Sequence, residues 1–81
     1  MTRVGYLIRL GDRTLGEIST LDDARSARER IRGHEYQWGV ISNALDVVLG
    51  GNDAPLAYLS PRDRRLAEAE IAAIRSAIAE H

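Results

Sequence analysis

Apolar residues near the start of the chain fall on every second position. Val4, Tyr6, Ile8 and Leu10 alternate with Arg3, Gly5, Leu7 and Arg9, the period of a strand with one strongly apolar face. Gly11-Asp12 interrupts the run, and Leu15 and Ile18 resume it. The pattern predicts a β-hairpin of residues 3–10 and 13–18 with its turn near 11–14. A two-stranded hairpin is marginal in water, so its apolar face needs a helix to pack on.

The period then lengthens. Leu21, Ala24, Ala27 and Ile31 fall on one helical stripe, preceded by Thr20 as N-cap and followed by Gly33 as terminator. Asp23 stands three residues after Thr20, an acidic version of the capping box. Asp22 and Asp23 open this helix and Arg25, Arg28, Arg30 and Arg32 crowd the rest, which complements the helix dipole.

Residues 35–49, EYQWGVISNALDVVL, admit two readings. As a helix they put Trp38, Ile41, Leu45, Val48 and Leu49 on one face and Glu35, Gly39, Ser42, Asn43 and Asp46 on the other. Tyr36, Val40 and Val47 then form a second apolar flank. As strands, YQWGVI and ALDVVL would pair about Ser42-Asn43. The helix segregates its side chains more cleanly, and Gly50 supplies a residue to end it.

Beyond the loop at residues 50–53, Ala54–Leu59 reads as an extended connector containing Pro55. Ser60-Pro61-Arg62-Asp63 is a helix start, with a capping hydroxyl, a proline at the first position and an acid at the third. A last helix over 61–79 follows, with Ala67, Ile71, Ile74 and Ile78 as its stripe and Leu66, Ala73 and Ala77 beside it. The expected architecture is a single α+β domain, residues 1–81, with a hairpin packed on two to three helices in the order β-β-α-α-α. The alternative is β-β-α-β-β-β-α, with 36–59 as strands.

Composition narrows the function classes. Eighty-one residues make a thin core, and such domains gain stability from disulfides, a metal or another chain. There is no cysteine and there are only two histidines, His34 and His81, so association, as a homodimer or with a protein partner, is the expected support. The absence of cysteine also fits a cytoplasmic protein. Arg9 interrupts the short apolar run near the start, so no signal peptide is expected there, and no apolar stretch approaches the length of a membrane-spanning helix. All eleven basic residues are arginine, a bias that reads as GC-rich coding.

The formal charge of −1 is unevenly placed. Residues 1–20 carry three Arg against two acids and residues 21–32 four Arg against three, each +1. Residues 33–60 hold three acids and no base, −3, and residues 61–81 balance four against four.

No enzyme is expected. Covalent catalysis needs a nucleophile beside a base, and His34, next to Gly33, has no second partner in the sequence. Gly11 and Gly16 lack the lysine of a phosphate loop, and Gly50-Gly51-Asn52-Asp53 reads as a turn. No cofactor or metal site is expected. Nucleic-acid binding is the runner-up: Arg25, Arg28 and Arg32 share a helical face that could track a phosphate backbone. Asp22 and Glu29, however, stand at pairing distance from Arg25, and a recognition helix at 35–49 would present the wrong sign.

The expected function is a non-catalytic regulatory or inhibitory protein that binds another protein. A phage or mobile-element anti-defence inhibitor, a bacterial adaptor or an antitoxin would each suit a small stand-alone chain. The partner surface expected is Arg25, Arg28 and Arg32 with Tyr36, Val40 and Val47, arginine and aromatic side chains being those that carry interface energy. Trp38 is assigned to the core.

Overall fold

The computed structural model describes residues 5–10, 13–32 and 39–80. Two strands, β1 (Tyr6–Leu10) and β2 (Arg13–Ile18), precede three helices, α1 (Leu21–Ile31), α2 (Gly39–Gly50) and α3 (Pro61–Ala79), with a short 3-10 helix (Ala54–Tyr58) between the last two. The β-β-α-α-α order is the one expected from the two periodicities. The hairpin turn at Gly11-Asp12, the Gly33 terminator, His34, and the assignments of Tyr36 and Trp38 lie outside the described residues.

The hairpin is antiparallel, with Tyr6 opposite Ile18, Leu7 opposite Glu17 and Ile8 opposite Gly16. The register then shifts so that Arg9 faces Thr14 and Leu10 faces Arg13. Leu15 is thereby the extra residue of a β-bulge, which bends the strand and increases its twist. Ile8 and Ile18 are fully buried on the sheet's inner face. Gly5, just before β1, is also buried, and its N–H donates to Glu17 Oε1 at 2.7 Å.

α1 starts as its sequence dictates. Thr20 Oγ1 accepts from the Asp23 amide at 3.2 Å, and Asp23 Oδ2 accepts from Ser19 N at 2.9 Å and Thr20 N at 3.1 Å. These bonds satisfy amides that a helix start leaves without partners. Ala24, Ala27 and Ile31 face the core, whereas Leu21, expected on the same stripe, is 47% exposed at the first helical position. The buried stripe thus begins one turn later, at Ala24.

α2 is the centre of the molecule, packed against α1, α3 and the 3-10 helix. Coverage from several directions explains two corrections. Val47, expected on an exposed flank, is fully buried, and Val40 is half-buried against the core. The edge expected to face solvent is the one that α1 covers: Ser42 is buried and Asp46 bonds Arg28 of α1. A helix with neighbours on several sides has no single inner face.

The end of α2 also differs by one residue. Gly50 is still helical, and it is Gly51, at φ 75°, that takes the left-handed conformation and donates to Val47 O at 2.9 Å. Asn52 Oδ1 then accepts from Ala54 N at 3.0 Å, turning the chain into the 3-10 helix. Residues 54–58 are thus helical and not the extended connector expected. Pro55 suits both, because its fixed φ near −65° serves a first helical turn as well as an extended segment. Leu56, buried in the core, anchors the turn.

α3 opens with Ser60 Oγ accepting from Asp63 N at 3.2 Å, and Pro61 occupies the first turn. Ala67, Ile71 and Ile74 are buried as expected, with Ile78 partly covered.

Candidate functional site

Three arginines of α1, Arg25, Arg28 and Arg30, and its C-cap residue Arg32 form a cationic group that includes the three expected to bind a partner, Arg25, Arg28 and Arg32. Arg25 Nη1 lies 2.8 Å from Asp22 Oδ1, and Arg32 Nη2 lies 2.8 Å from Glu29 Oε1. Both pairs are one helical turn apart and exposed, so each contributes only about 0.2–1 kcal/mol. Arg28 is different. Its Nε donates to Asp46 Oδ1 at 2.7 Å and its Nη2 reaches Asp46 Oδ2 at 3.4 Å. The Arg28 side chain is 19% exposed, so its charge is largely withdrawn from solvent and ties α1 to α2.

The expected arginine surface therefore separates into unlike parts. Arg25 and Arg32 stay at the surface with local acidic partners, and Arg28 is an internal clamp. Tyr36, the aromatic member expected of the same surface, lies outside the described residues. Val40 and Val47 belong to the core and its margin, which removes the apolar flank that was to adjoin the arginines.

Arg30 lies over the sheet. A Cβ built on Gly16 would sit 3.9 Å from Arg30 Nη1. Gly16, Glu17, Asp23, Ser26, Ala27 and Arg30 line an open groove of about 220 Å³ between β2 and α1. Its carboxylates are already engaged, Asp23 in the helix cap and Glu17 on the Gly5 amide. No cluster of three or more histidine or acidic side chains placed to hold a metal ion occurs among the described residues. Nor is any helix among them long and apolar enough to cross a membrane.

Sequence reasoning missed the exposed apolar side chains. Tyr58 is 89% exposed at the end of the 3-10 helix, and Leu66 is 50% exposed on α3. Leu66 carried a signal, since it stands off the 67, 71, 74, 78 stripe. Tyr58 carried none, because an extended connector would alternate its side chains and conceal no particular one.

Glu70 was also missed, although its spacing from Ala67 and Ile74 places it at the core's edge. One carboxylate oxygen, Oε2, is buried without a hydrogen-bond partner. Burial raises the carboxyl's pKa above its usual value of 4.5, because desolvation disfavours the charged form. A folded-state pKa above the unfolded one means that folding favours the protonated acid, so this group's contribution to stability is lost as pH rises through the raised value. Glu70→Gln should therefore raise the melting temperature at neutral pH. The difference should vanish below the ordinary carboxylate range, and thermal melts of both proteins across acidic and neutral pH check it.

No protein-family model, characterised protein or solved structure matches this chain.

Proposed function

We propose that this chain is a non-catalytic regulatory or inhibitory protein that acts by binding another protein. The observation that carries the reading is Tyr58. A large amphipathic ring, 89% exposed, stands on a short helix held from below by Leu56. Rigidly supported aromatic residues lose little conformational freedom on binding and are enriched among the residues that dominate interface energy. The stretch of residues 33–60 that contains it has three acids and no base. That charge favours a partner presenting arginine or lysine around an apolar cleft.

The pairing of the α1 arginines favours a protein over a nucleic acid. Arg25, Arg28 and Arg32 each have an acidic partner within the chain, so docking on phosphates would have to displace carboxylates before releasing counterions. The cysteine-free sequence supports action in the cytoplasm.

The test has two arms. In the first, the immobilised full chain is incubated with cell lysate beside two variants, Tyr58→Ala and the Arg25→Ala/Arg32→Ala pair. A captured protein should lose at least about tenfold in affinity with Tyr58→Ala and little with the arginine pair. Capture indifferent to Tyr58→Ala would overturn the reading. The second arm is direct titration with nucleic acid.

A further inference from the structure

We infer that the outer side of the 3-10 helix is a self-association surface, on which a second copy of this chain packs its own Tyr58 about a two-fold axis. The inference goes beyond the reading that a different protein is the target, although both use the same ring.

The 3-10 helix reads Ala-Pro-Leu-Ala-Tyr, and of these only Leu56 is buried. Ala54, Ala57 and Tyr58 are exposed and Pro55 is half-buried, so no charged side chain interrupts the patch. Its two ends carry opposite charges. Asp53 precedes the helix and Arg62 follows it in the first turn of α3, and both are exposed. Asp53 stands at the N-cap position, yet its side chain makes no capping bond; Asn52 Oδ1 takes the Ala54 amide instead, at 3.0 Å. Neither Asp53 nor Arg62 enters an ion pair among the described residues. The neighbouring Arg64, by contrast, is engaged by Glu68 at 3.3 Å.

The order of the charges selects the occupant. An acid, an exposed tyrosine and a base follow one another along the chain, and an inverted second copy presents the same three in the complementary order. With the two-fold axis at Tyr58, Asp53 meets Arg62 of the partner subunit, and the symmetry makes that contact twice. The spans are compatible. Asp53 lies about 10 Å from Tyr58 along a 3-10 helix at 2.0 Å per residue, and Arg62 lies no more than about 14 Å from it even on a fully extended chain. The two tyrosine rings then pair at the axis, with centroids about 4.5–7 Å apart. Packing in the same direction would set acid on acid and base on base, so the same charges disfavour it.

So small a patch buries less area than a standard stable interface, so the dimer should be reversible and dependent on concentration. Sedimentation equilibrium of the purified full chain, from micromolar to millimolar, should show monomer passing to dimer. Asp53→Arg and Arg62→Asp should each raise the dissociation constant roughly tenfold, as two attractions become repulsions. The double exchange, Asp53→Arg with Arg62→Asp, should restore it. Tyr58→Ala should weaken the dimer at least about tenfold. All four variants should keep the circular dichroism of the parent chain, because none of the three side chains is buried. A monomer at every concentration, a dimer indifferent to either single charge reversal or to Tyr58→Ala, or failure of the double exchange to restore it would each overturn the inference. The purified chain is measured alone, so such a failure leaves the reading of a different protein partner standing.

Discussion

Leu45→Ala should lower the unfolding free energy by about 2–5 kcal/mol, the range for removing a buried leucine from a packed core. Leu45 is fully buried in the one helix that packs against α1, α3 and the 3-10 helix together. A cavity there loosens three interfaces at once, and little backbone motion can close it, because α2 is held by neighbours on several sides. The exposed Leu66→Ala should cost less than about 1 kcal/mol, as expected of a half-solvated side chain. Chemical denaturation of the three proteins gives both values. Equal losses at the two positions would mean that α2 is not the hub of the core.

Gly5→Ala should cost about 1–3 kcal/mol, the range for forcing extra atoms into a packed site. A Cβ at this position would collide with Ile18 O and with Ser19 Oγ. The first is backbone, so the collision cannot be relieved by a rotamer change. Relief would push the base of the hairpin away from Ile18, which is fully buried, and strain the Gly5 N–H bond to Glu17. Ser19 also donates its amide to the α1 capping carboxylate at 2.9 Å, so the displacement reaches the helix start. Ser19→Ala in the Gly5→Ala background should recover only part of the loss, because the carbonyl clash persists.

Why some of this fold was legible in the sequence and some was not follows from the range of the interactions involved. Thr20 with Asp23 and Ser60 with Asp63 are bonds across three residues, so both helix starts stand in the local sequence. The alternation around Ile8 and the stripe Ala67, Ile71, Ile74 are equally local. The surroundings of α2 are not. Val47 and Ser42 are buried because α1, α3 and the 3-10 helix converge on that helix, and no spacing within residues 39–50 encodes three neighbours. Arg28 shows the same limit at the candidate site. Its spacing with Arg25 and Arg32 describes a continuous surface, but Asp46, 18 residues away, takes it out of that surface. Tyr58 escaped notice because Pro55 is compatible with two backbone forms, and only the Asn52 turn decides between them.

The proposed preference for a protein partner over a nucleic acid rests on Arg25, Arg28 and Arg32 each having an acidic partner within the chain. Titration of the full chain with duplex DNA and with RNA at physiological salt tests this directly. No measurable binding is expected, and lowering the salt should produce at most weak binding with a shallow salt dependence. Micromolar or tighter affinity at physiological salt, falling steeply as salt rises and lost when Arg25, Arg28 and Arg32 are replaced together by alanine in a variant that remains folded, would contradict it.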